Sequence, residues 1–176
     1  TAPLCNGLKI RGARMIRALG PAMSRPKPAE TLRAALGAGL GLAVCGIVLL
    51  ALETWRGGSS DFLLIAPIGA TAFLVFAVPN SPLAQPWSAV VGNSASALVA
   101  VAILGLNLGT EMSAGLGVGG AILAMALLRA MHPPGAAVAL ATVLSFSDIA
   151  GLSYGFVLSP IMLDTALLVG LAVLYN

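Results

Sequence analysis

The sequence predicts an all-α fold, a polytopic transmembrane helical bundle with four full spans and two short proline-led helices. Two observations carry this reading. First, 59% of the 176 residues are hydrophobic and 9% are charged, with a mean hydropathy of +1.00. A soluble domain carries roughly 25% charged residues, so this chain has too little polar surface to face water. Second, apolar runs such as AVCGIVLLAL (43–52) are continuous. Spanning β-strands would alternate every second residue, whereas a spanning helix needs about 20 mostly apolar residues. The 21 glycines favour close helix–helix packing through small side chains.

Residues 1–30 read as a basic tail on the cytoplasmic side. Of the nine Lys and Arg residues, seven lie in residues 1–33, namely Lys9, Arg11, Arg14, Arg17, Arg25, Lys27 and Arg33. That concentration suits the inner face of a membrane and places the N-terminus in the cytoplasm, in a bacterial inner membrane. It argues against nucleic acid as a partner. Leu8, Met15, Ile16 and Leu19 fall near one face of a would-be interfacial helix; a flexible basic tail is the plainer alternative. The prolines of SRPKPAE (24–30) close the tail, and no cleavage pattern marks a signal peptide.

The transmembrane domain is expected over 31–176. Its spans are 32–52, 87–106, 115–131 and 155–175. Residues 62–78 and 135–147 are shorter and open on prolines, as re-entrant or broken helices do. With six crossings, the loops at 53–61 and 107–114 face outside and carry Arg56 as their one basic residue. Cys5 and Cys45 have no metal-site spacing and read as free thiols.

An internal echo links the short segments. APIGATAFL (66–74) aligns with HPPGAAVAL (132–140), matching Pro67 with Pro133, Gly69 with Gly135, Ala70 with Ala136 and Leu74 with Leu140. Four matches in an alanine-rich chain are weak statistics. Three crossings separate the two copies, however, which is the arrangement of an inverted repeat with helix starts converging on a midplane site. Proline at a helix start loses no hydrogen bond, and glycine allows close approach. The free amides of residues 69–71 and 135–137 would then face an anion.

Polar residues in apolar ground supply the remaining candidates. His132 is the one histidine. With an ordinary pKa near 6.5 it can gain charge beside an anion or pass a proton, or it can simply bond a neighbouring carbonyl. Arg129 shares a face with it on a continuous helix, either binding an anion or anchoring the helix end by snorkelling. Thr71, Asn93, Ser94 and Ser96 are of the kind that bonds across helices as packing glue. Asp148 reads as a loop residue, and Asp164, inside the last span, as a partner to a cation. No nucleophile elbow, phosphate loop, carboxylate pair or Cys/His cluster is present in the sequence. An enzyme is not expected, and no cofactor or metal is implied.

RAMHPPGAAVAL (129–140) resembles the signature of the HPP family of integral membrane proteins. APIGATAFLVFAVPNSPLAQPW (66–87) resembles that family's other marked stretch, and together they extend the resemblance over about residues 30–176. The resemblance implies a compact multi-helix protein and, from plastid and cyanobacterial members linked to nitrite transport, a small monovalent anion as substrate. By position, His132, Pro133, Pro134 and Gly135 would form one motif; Ala136 and Arg129, beside it, join the expected substrate-binding set. Gly69, Ala70, Thr71, Ser81, Pro82, Gln85 and Pro86 would form the other, with Asn93 on the next segment. Two positions depart from the pattern. Trp87 stands where Arg commonly follows Ala-Gln-Pro, and Asn93 where His or Gln often stands. The expected function is a permease for a small anion, most plausibly nitrite, in a lipid bilayer and assembled as a homodimer. A non-transporting membrane scaffold or sensor is the rival.

Overall fold

The computed structural model describes residues 25–57, 66–145 and 157–176. The tail helix expected around Leu8–Leu19 and the loop residue Asp148 lie outside them. The chain divides into two compact units, 1–31 and 32–176; the first contributes only residues 25–31 to the described part.

Six α-helices form the described architecture. α1 runs Pro28–Arg56, α2 Ala66–Ala77, α3 Pro86–Leu104, α4 Thr110–Leu127, α5 Pro133–Ser145 and α6 Leu163–Tyr175. A kinked helical segment, Val157–Met162, leads into α6, and a 3₁₀ turn, Pro82–Ala84, precedes α3. Prolines open α1, α3 and α5, where their missing N–H costs nothing. Four stretches are long and apolar enough to cross a membrane: Pro28–Leu52, Pro86–Leu104, Thr110–Leu127 and Val157–Tyr175. The 12 residues of α2 and 13 of α5 reach only about 18–20 Å, against a hydrocarbon core of about 30 Å. Four spans and two short proline-led helices is therefore the observed plan. The boundaries shift modestly: α4 covers 110–127 rather than 115–131, and α5 opens at Pro133.

Small residues set the packing. The Phe76 ring of α2 lies across Gly37 and Gly41 of α1, where an added Cβ would come within 2.6 Å and 3.0 Å of it. Phe76 joins Cys45, Ile68, Ala89, Leu168 and Ala172 in a core shared by α1, α2, α3 and α6. A second core, Ala100, Leu104, Ala121, Ala139 and Val143, holds α3, α4 and α5 together. Only α3 belongs to both, so it is the central helix. At one end of the bundle Arg33 Nη1 donates to Asn176 Oδ1 (2.6 Å), and Asn176 Nδ2 donates to the Val75 carbonyl (2.9 Å). The start of α1 and the ends of α2 and α6 therefore meet.

The turn between α4 and α5 is decided by backbone chemistry. Arg129 takes φ 54°, its N–H bonds the Ala126 carbonyl (3.2 Å), and the Ala130 N–H reaches back to Met125 (2.8 Å). That pair of bonds is a Schellman closure with Arg129 in the left-handed position usually held by glycine. The helix thus stops before Arg129.

A buried polar network between the two proline-led helices

α2, α3, α6 and the residue just before α5 bring four polar side chains together, each fully buried at 0% exposure: Thr71, Asn93, His132 and Thr165. Asn93 lies about 10 Å along α3 from Pro86, and Thr165 about 15 Å along α6 from Tyr175. Asn93 and Thr165 therefore lie inside two of the stretches long and apolar enough to cross a membrane, Pro86–Leu104 and Val157–Tyr175. Unpaired polar groups there cost several kcal/mol each, so the hydrogen bonds decide what the cluster is.

The bonds form one directed chain. His132 Nδ1 lies 2.7 Å from the Leu83 carbonyl. A carbonyl only accepts, so Nδ1 carries the hydrogen, and in the neutral ring Nε2 is an acceptor. Thr71 Oγ1 lies 3.0 Å from Nε2 and donates to it. Asn93 Nδ2 donates to Thr71 Oγ1 and to Thr165 Oγ1, both at 3.1 Å. Thr71 also has the Pro67 carbonyl within 3.4 Å as an alternative acceptor. The Asn93 carbonyl oxygen is buried without a partner, and the Thr165 hydroxyl hydrogen finds no acceptor among the described residues.

Close approach of α5 to α3 holds His132 in this place. An added Cβ on Gly135 would lie 2.7 Å from Ser96 Oγ and 3.0 Å from the Gly92 carbonyl. One on Gly92 would lie 2.7 Å from the Ala130 carbonyl and 2.8 Å from His132 Cβ. Gly92 and Ser96, four residues apart, make a small-residue groove for α5. The Ser96 hydroxyl is spent locally on the Gly92 carbonyl (2.7 Å).

Against the expected set, His132, Thr71 and Asn93 come together in one contact network. Pro134 and Gly135 are buried beside them, and Ala136 is half-buried. Pro133, Gly69, Ala70, Gln85 and Arg129 are exposed and outside the network. Three expectations need correction. The Gly135 amide does not face a ligand, because it donates to the His132 carbonyl (2.8 Å); the glycine is there for helix contact. Gly69 has open space around it, so the two echoed glycines occupy unlike surroundings. Arg129 does not share a helical face with His132, because α4 ends at Leu127 and Arg129 turns left-handed.

Sequence reasoning missed Thr165 and the Leu83 carbonyl. Thr165 carried a readable signal, a second polar residue beside Asp164 in an otherwise apolar span. Leu83 carried none, since its contribution is backbone. Trp87, at the departure from the expected pattern, donates from Nε1 to the Leu128 carbonyl (3.2 Å). It thereby ties the start of α3 to the end of α4. Asp164 is 1% exposed, and the cation partner expected for it is absent among the described residues.

The model of the HPP transmembrane region matches residues 23–176. The chain is 39% identical over 106 residues to a transmembrane protein of Dictyostelium discoideum, covering 57% of this chain and 34% of that protein. It is 32% identical over 137 residues to another transmembrane protein of the same organism, covering 74% of this chain and 48% of that one. The chain thus spans about a third to a half of the length of these curated relatives. No solved structure matches it. On the family match across nearly its whole length, the chain belongs to the HPP family of transmembrane proteins.

Proposed function

We propose that this chain is a permease for a small monovalent anion, with nitrite the leading substrate, seated in a bacterial inner membrane with its N-terminus in the cytoplasm. The observation that carries the reading is the buried network joining the two proline-led helices through Thr71 and His132. Two hydroxyls, a carboxamide and an imidazole are groups that can hold a small anion. Transporters with broken helices bind small ions between short helices of this kind, which supports the reading. Polar groups within a span are functional candidates by default because hydrocarbon makes them costly.

Because all four side chains are fully buried, this is a closed state, and water cannot reach the network without helix movement. Entry of an anion would turn the Asn93 amide and the Thr71 and Thr165 hydroxyls from one another onto the ligand. Their present bonds hold the site shut in the meantime. The pairing of α2 with α5 across this network is the feature on which an inverted repeat and alternating access would operate.

The test is nitrite uptake into proteoliposomes above a protein-free control. Asn93→Leu and His132→Ala, each checked for folding by monodispersity, should reduce initial uptake at least tenfold. Arg129→Ala should leave it unchanged. Full uptake in both network variants would overturn the reading in favour of a scaffold or sensor.

A further inference from the structure

Asp164 is the second buried polar feature, and the network does not use it. It lies in the first turn of α6, 1% exposed, and neither carboxyl oxygen has a hydrogen-bond partner among the described residues. Among the described residues, its surroundings offer no compensating charge. From α1 comes the Cys45 thiol, an uncharged group beside the Asp164 side chain, which makes a long bond to the Asp164 backbone carbonyl (3.9 Å). α2 and α3 present no titratable side chain to it, and neither does the segment Val157–Met162. His132 is reached only indirectly, through Thr71, Asn93 and Thr165. Among the described residues, Arg33 and Tyr175 lie at the far end of the bundle.

A bare carboxylate so placed would cost several kcal/mol. A helix N-terminus returns at most about 2 kcal/mol, and no backbone amide reaches either oxygen here. Uptake of one proton, converting –COO⁻ to –COOH, removes the charge. A hard metal cation is the poorer occupant, because it wants several oxygen ligands and the side chain facing this position from α1 is a thiol. Asp164 is also covalently next to Thr165, which closes the network on Asn93. Any shift of α6 that releases Thr165 onto an incoming anion moves Asp164 with it.

We propose that Asp164 is the proton-binding site of the transport cycle, carrying one proton in the closed state and exchanging it with water when the bundle opens. One proton then travels with each monovalent anion, and the cycle is electroneutral. The coupling rests on the permease reading above; the proton site itself does not.

Infrared difference spectroscopy of the full chain in liposomes tests the site directly. At neutral pH the protein should show a protonated-carboxyl C=O band that Asp164→Asn removes and Asp164→Glu shifts. Absence of such a band in the unaltered protein overturns the proposal, even if the asparagine variant fails to fold. For coupling, an inward proton gradient should raise initial nitrite uptake at least tenfold above protein-free liposomes, and Asp164→Asn should abolish that stimulation. Stimulation by a sodium gradient instead would overturn proton coupling. A protein that shows the band but moves no nitrite under any gradient overturns the permease reading and the coupling together, while the proton site stands.

Discussion

Gly92→Ala tests whether the α3–α5 contact holds the network in place. The new Cβ would stand 2.7 Å from the Ala130 carbonyl oxygen and 2.8 Å from His132 Cβ. Ordinary contact is about 3.5 Å or more, so the 130–132 turn must retreat by about 0.7 Å. Neither contacting atom can escape by a rotamer change, because one is backbone and the other is the first side-chain carbon. Overpacking of this kind costs about 1–3 kcal/mol. The retreat also stretches His132 away from Thr71, at 3.0 Å now, and leaving a buried group unsatisfied costs a further ~1–3 kcal/mol. Replacing a helical glycine by alanine returns about 1 kcal/mol, so the net loss is about 1–5 kcal/mol. Gly119→Ala is the control: the residue is exposed on α4 with nothing within 4 Å of an added Cβ. It should gain about 1 kcal/mol from helix propensity alone. At 2–4 °C per kcal/mol for a chain of this size, the two Tm values should differ on the order of 10 °C. Thermal unfolding in detergent, followed by tryptophan fluorescence, reads the difference. Equal Tm values would refute the close packing and with it the placement of His132.

Two smaller substitutions probe the turn between α4 and α5. Arg129→Gly removes a left-handed non-glycine residue and should raise stability by about 1 kcal/mol with nitrite uptake unchanged, because the side chain is exposed; the same unfolding and flux assays check both. Trp87→Phe loses the donor to the Leu128 carbonyl and should cost about 0.5–1 kcal/mol. Trp87→Arg supplies a donor again and should restore part of that stability in the same unfolding assay.

Much of the architecture was legible because it follows from hydropathy and proline placement. Apolar runs locate the four long spans, and Pro67 and Pro133 mark the two short helices. His132, Thr71 and Asn93 could be singled out because each is polar in a strongly apolar stretch. What sequence could not assign was which faces meet. In a bundle apolar on nearly every side, periodicity carries little contrast, so Gly135 read as an amide offered to a ligand when it is a contact point for α3. The same limit applies to Arg129. A left-handed residue at a helix end is normally glycine, so an arginine there gave no sign of the stop and implied a shared face with His132. Leu83 acts through its carbonyl, which any residue could supply.

The direction of the hydrogen bonds orders the whole network. A backbone carbonyl at Leu83 fixes the His132 hydrogen on Nδ1, and that choice propagates. Nε2 must accept, Thr71 must donate, and the Thr71 oxygen is then free to accept from Asn93. Adding a proton at Nε2 would reverse the first link: the ring becomes the donor, and the Thr71 hydroxyl hydrogen must find another acceptor. The Pro67 carbonyl, 3.4 Å away, is already within reach. The hydroxyl can therefore swivel between a side chain of the second motif and the backbone of the first without moving a helix. Either protonation state of His132 is therefore compatible with the same backbone. The alternative acceptor lies at the proline of the first motif, so the proline-led start of α2 and the histidine before α5 are parts of the same device.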